Sequence, residues 1–75
     1  MTEIERFISI YNDAYDRGVT KMKEVADALS LTLREVYKLK ETVRMQELRT
    51  GVQVLRGDLT AAARARDAIS KIEEK

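Results

Sequence analysis

The stretch Lys23–Lys40, KEVADALSLTLREVYKLK, decides how this chain folds. Val25, Ala26 and Leu29 fall on one face of a helix, and Val36, Leu39 and Val43 on one face of another. Only Ser30, Leu31 and Thr32 separate the two patterns, and neither Gly nor Pro marks the break. Capping chemistry marks it instead. Thr32 followed three residues later by Glu35 is a capping box, in which hydroxyl and carboxylate each take the other residue's backbone N–H. One helix stops because a new N-cap starts the next.

The same chemistry predicts the flanking elements. Upstream, TEIERFISIYNDAYDRG (residues 2–18) predicts a helix capped by Thr2, with Glu3 and Glu5 in its first turn, where the helix dipole favours acids. Ile4, Phe7, Ile8, Tyr11 and Tyr15 make its apolar stripe, and Gly18 is suited to the left-handed residue that ends it. A second helix, about nine residues long, is expected after Thr20 as N-cap, with Met22, Val25, Ala26 and Leu29 buried. It is too short to hold without packing. The third runs from Thr32 towards Gly51.

Two readings stand for VQVLRGD (residues 52–58). It is an extended connector, or it is the return strand of a short wing at 43–55 with TVRMQEL as the outgoing strand. The helix-forming residues of RMQEL favour the first. The last segment, residues 58–75, predicts a helix capped by Asp58 or Thr60, with Ala62, Ala65, Ile69 and Ile72 in a narrow stripe. Met45, Leu48, Val52, Leu55, Leu59 and Ala62 also alternate at three and four, a coiled-coil-like seam broken by two glycines.

The fold class is therefore all-α: a compact three-helix core with a helix-turn-helix at its centre, plus a C-terminal helix. Residues 1–50 form the core, and residues 51–75 the connector and C-terminal helix. A chain of 75 residues makes one domain at most. It buries only about 60% of its unfolded surface, which makes it marginal alone.

Composition narrows the chemistry. There is no Cys and no His, so Cys-based zinc sites, disulfides and the usual neutral-pH general base are excluded. No Gly-rich phosphate loop or nucleophile elbow is present, and the carboxylates sit at helix ends. The expectation is a protein that is not an enzyme and has no cofactor, no metal and no small-molecule substrate. No apolar run approaches the ~20 residues of a membrane span, and no signal peptide precedes the first helix, so no membrane association is expected.

The net charge of +1 hides an asymmetry. Residues 1–16 are net −3, residues 17–66 net +5, with eleven Lys/Arg against six Asp/Glu, and residues 67–75 net −1. The excess of bases begins just before the decisive stretch.

Counted from Met22, that stretch resembles the twenty-residue helix-turn-helix DNA-binding motif. Val25 and Ala26 fall at its fourth and fifth positions, Leu29 at the eighth, Leu31 at the tenth, Val36 at the fifteenth and Leu39 at the eighteenth. Small Ala26 leaves room for two helices crossing steeply over a short turn, and Leu31 plugs the corner. Ser30 departs from the motif, which favours Gly there for its positive φ. The run from Asp16 to Glu41 is similar to the N-terminal domain of phage small terminase subunits, and to small bacterial and phage regulators.

The resemblance implies double-stranded DNA as partner, with Thr32 to Thr42 as the recognition helix in the major groove. Thr32, Leu33, Arg34, Tyr37, Lys38 and Glu41 would face DNA. Arg34 would read a guanine edge, Lys38 would touch phosphate, Tyr37 would donate to a phosphate or touch a thymine methyl, and Thr32 with its neighbouring N–H groups would hold another phosphate. Glu41 would restrain a basic neighbour or repel the wrong base. Lys21 and Lys23 open the second helix, where a phosphate would relieve their conflict with the dipole. Arg49, Arg56, Arg64 and Arg66 extend this surface or are salt-bridged. The resemblance also implies a cytoplasmic protein of a bacterial cell or phage-infected host. It leaves open a packaging or a regulatory role. A homo-oligomer through the C-terminal helix is expected, and a helical protein-interaction module without DNA binding is the competing reading.

Overall fold

A computed structural model describes residues 2–73, apart from the side chains of 61, 67 and 70–73. Four helices follow one another: α1 (Glu3–Asp16), α2 (Met22–Leu29), α3 (Leu33–Thr50) and α4 (Ala61–Glu73). The first three pack against each other. The chain is all-helical, with no strand among the described residues.

Local chemistry sets the helix starts. Thr2 caps α1 and Thr32 caps α3, each through a complete capping box with the glutamate three residues on. For α4, Thr60 rather than Asp58 does the capping: its hydroxyl accepts the Ala63 N–H at 3.2 Å. The expected cap of α2 at Thr20 is not used. The cap position is Lys21, with no side-chain hydrogen bond. Met22 is buried and opens the helix, which leaves Thr20 a residue too early for a cap.

The core is the convergence of the predicted stripes, with Ala14 of α1 added to them. Phe7, Tyr11 and Ala14 from α1 meet Met22, Val25, Ala26 and Leu29 from α2, and Val36 and Val43 from α3. Phe7 and Tyr11 stack with ring centroids 5.5 Å apart. Ile4, Ile8, Tyr15, Leu31 and Leu39 pack on its edge.

The segment at 43–55 is not a wing. Helix α3 continues to Thr50 and stops at Gly51, whose φ of +73° is left-handed. Nor is there a continuous seam into α4. Met45, Leu48, Val52 and Ala62 are exposed, whereas Leu55 and Leu59 are buried in the core. The connector after α3 is extended, and it completes the core with these two leucines.

Polar clamps hold that connector. The Glu47 carboxylate accepts the N–H groups of Val54 and Leu55 at 2.6 and 2.8 Å. Asn12 donates to the Val54 carbonyl at 3.0 Å and accepts the Arg56 N–H at 2.9 Å. The Gly57 carbonyl takes the Tyr11 hydroxyl and, at 3.2 Å, the Arg44 guanidinium. Asp58 pairs with Lys40 at 2.8 Å and with Arg44 at 3.6 Å. Gly57 also lies so close to Tyr15 that a Cβ would sit 3.0 Å from its hydroxyl oxygen. Helix α4 is tied back by Arg64, which donates to the Val19 carbonyl at 3.0 Å and lies 4.5 Å over the Tyr15 ring.

These clamps shift the titration of their members. Burial pushes the Tyr11 hydroxyl up to about 12, aided by the nearby Asp58 charge. Burial also opposes the charge on Glu47, but the Leu55 and Val54 N–H groups and Arg44 together outweigh it and hold the carboxyl below its ordinary value. The hydrogen bond from Lys40 lowers Asp58 likewise.

Glu47→Gln should therefore destabilise the fold at neutral pH by about 1–3 kcal/mol, the scale of hydrogen bonds to a charged group. A depressed carboxyl contributes stability above its unfolded value of 4.5, lost as pH falls through the folded value. Urea melts of both proteins at neutral pH should differ, and the gap should close as the pH falls below 4.5 and through the folded value. An unchanged gap would mean that charge is not what the connector needs.

Candidate nucleic-acid interface

The corner between α2 and α3 fixes how α3 is presented. Its first residue, Ser30, adopts φ 58° and ψ 37°, and no other described non-glycine residue has a positive φ. The backbone then closes a Schellman motif: Ser30 N–H bonds the Asp27 carbonyl at 3.2 Å, and Leu31 N–H the Ala26 carbonyl at 2.9 Å. Helix α1 ends in the same way, with Gly18 at φ 86° in the left-handed place. Ser30 occupies without a glycine's freedom the conformation that Gly18 takes readily, at a cost on the order of 1 kcal/mol. Leu31 turns inward onto the core, and the capping box starts α3 at once. Ala26 and Val36, on either side of the corner, are buried in one cluster.

The core face of α3 carries Val36 and Val43, with Leu39 half-buried. The residues between them point away from it. Thr32, Leu33, Arg34, Tyr37, Lys38 and Glu41 are all exposed, as are Lys21 and Lys23 at the start of α2. The fold thus puts all eight candidate residues on the surface.

Their chemistry differs. Among the described residues, Lys21, Lys23, Arg34 and Lys38 enter no ion pair. Lys40 and Arg44, one turn further along α3, are spent on Asp58 and Glu47. Thr32 is occupied as well. Its hydroxyl accepts the Glu35 N–H at 3.2 Å and donates to the Glu35 carboxylate at 3.0 Å, which also takes the Thr32 N–H at 3.2 Å. A phosphate at this helix end would have to displace Glu35, which leaves the Leu33 and Arg34 N–H groups as the open donors.

Of the four further arginines, Arg56 lies 3.6 Å from Asp16 and Arg64 is held by Val19 and Tyr15. Arg49 and Arg66 are exposed. Among the described side chains of α4, Ala62, Ala65 and Ile69 are exposed and Ala63 is buried. The Ile72 side chain lies outside the described residues. Among those residues, no helix is long and apolar enough to cross a membrane.

Of the alternating pattern that runs from Met45 to Ala62, the structure leaves Met45, Leu48 and Val52 as an exposed apolar ridge beyond the candidate face. No known protein family, curated protein or solved structure matches the chain.

Ser30→Gly should relieve the corner's strain and stabilise the fold by about 0.5–1 kcal/mol, because glycine takes positive φ without a Cβ clash. In a chain of this size that raises Tm by roughly 2–8 °C. A melt by circular dichroism reads it directly, and a lower Tm would contradict the left-handed geometry at Ser30.

Proposed function

We propose that this chain is a DNA-binding helix-turn-helix protein of phage or bacterial type, with residues 32–42 as its recognition helix. One observation carries the reading. At the start of α3, Val36 packs into the core while Arg34 and Lys38 stand unpaired outside it with Tyr37 exposed between them, and Lys40 and Arg44 further along the helix are neutralised. A side chain that reads a base edge needs donors free to reach it, and Arg34 has them.

The roles follow from reach and chemistry. Arg34, in the first turn of α3, reads a guanine edge bidentately. Lys38 contacts phosphate, Tyr37 contacts phosphate or a thymine methyl, and Lys21 and Lys23 contact the backbone from the start of α2. Glu41 bounds the surface on the side of the apolar ridge. The biological setting is recognition of the packaging site, as in small terminase subunits, or transcriptional regulation, and a homo-oligomer is part of either.

A protein-interaction module without DNA binding is the second reading, and the exposed α4 residues Ala62, Ala65 and Ile69 favour it. Titration of labelled duplex separates the two. With four free cations at the face, the logarithm of the binding constant should fall with the logarithm of salt concentration at a slope of about −3 to −4. Arg34→Ala should relax sequence preference by about 1–3 kcal/mol at one base pair. Lys21→Ala should weaken every sequence alike and reduce the slope by about 1. Absence of binding to any duplex at low salt sinks the proposal.

A further inference from the structure

Met45, Leu48 and Val52 are 61%, 79% and 59% exposed. Single exposed apolar residues are ordinary. Three adjoining ones along the end of a helix make a patch of the kind that marks an interface. The first two line a shallow groove on α3 whose other walls are Lys38, Glu41, Thr42 and Arg49.

The charges in that groove have a symmetry. Glu41 lies one turn before Met45 and Arg49 one turn after it. Both are exposed, and neither enters an ion pair among the described residues. Lay a second α3 antiparallel across the first with the two Met45 residues in register. Glu41 then faces Arg49 of the second copy, Arg49 faces its Glu41, and each Leu48 lies over Thr42. The surface is complementary to itself under a two-fold axis, which is the requirement for an isologous dimer. Its centre is apolar and its rim oppositely charged, as in a helical pair with flanking ion pairs.

We infer that the C-terminal half of α3 is a homodimer interface with its dyad at Met45, closed by two reciprocal Glu41–Arg49 ion pairs. A second copy fits better than a different partner because one helix face supplies both halves of the charge pattern. The interface leaves the start of α3 free. In this register, residues before Lys40 extend past the end of the partner's helix, which stops at Thr50. The two Arg34 side chains would lie about 33 Å apart along the helix axes at 1.5 Å per residue. That is close to the roughly 34–36 Å between successive major grooves on one face of DNA. The dimer itself does not depend on DNA binding, so its test is run without DNA.

Sedimentation equilibrium of the 8.6 kDa chain should give twice that mass at high concentration. Glu41→Arg alone sets an introduced arginine against Arg49 at both ends of the interface. Arg49→Glu alone sets an introduced glutamate against Glu41 in the same way. Each should weaken the dimer at least about tenfold. An equimolar mixture of the two variants restores two ion pairs and should form a heterodimer. Leu48→Asp should give a one-chain mass with unchanged helicity, since Leu48 touches solvent rather than core. A wild-type chain that remains a monomer overturns the inference. So does a larger assembly, or a mixture of the swapped variants that stays dissociated.

Discussion

The Glu47 carboxylate, pinning two successive backbone N–H groups of the connector, is the interaction on which the fold depends. Three short helices leave their core open on one side, and Leu55 and Leu59 close it. Fixing each connector residue costs about 1–2 kcal/mol in backbone entropy. Two buried leucines, at roughly 1.5–3 kcal/mol each, do not hold a segment of that length alone. Glu47, Asn12, Tyr11 and Arg44 supply the rest by satisfying the connector's polar groups as it is buried.

The same clamp shapes the surface. Lys40 and Arg44 would otherwise be free cations on α3, and Asp58 and Glu47 take them both. What remains unpaired on that helix is Arg34 and Lys38 towards its start, beside the corner, and Arg49 near its end. The corner adds its own constraint. Ser30 accepts a strained backbone so that Leu31 can turn inward and Thr32 can cap, all within three residues. Position and charge of the candidate face thus come from two separate local devices, one at each end of the same helix.

Much of this was legible in the sequence because it is local. The cap at Thr2 and the capping box at Thr32 each act within three residues, and the positive φ at Gly18, Ser30 and Gly51 follows from helix ends. The buried stripes of α1 and α2 were equally plain. The failures share a cause. Thr20 looks like a cap, but the burial of Met22 decides where α2 starts. Asn12 meets Val54 and Arg56 across more than forty residues, and no periodicity announces that. Leu48 and Leu55 fall in one alternating pattern, yet Leu48 is exposed and Leu55 buried, since Gly51 breaks the helix between them. A stripe in sequence reports that a face is apolar and not which neighbour covers it. For the candidate residues the sequence could argue exposure from position alone. Which cations stay unpaired required the location of Asp58, beyond the reach of any motif.

The distribution of charge makes the final link between fold and face. Residues 17–66 carry a clear excess of bases, but the fold does not spread it evenly. Arg17, Lys40, Arg44 and Arg56 are each placed within 4 Å of a carboxylate, and Arg64 is stacked on Tyr15. Subtracting these leaves Lys21 and Lys23 at the start of α2, Arg34 and Lys38 at the start of α3, Arg49 near its end, and Arg66 on α4. At physiological ionic strength a charge is felt over about 8 Å, so paired cations contribute little at a distance and unpaired ones act locally. Of the described unpaired cations, Lys21 and Lys23 mark the start of α2, and Arg34 and Lys38 the start of α3 just after the Ser30 corner, which gives the candidate face four of them.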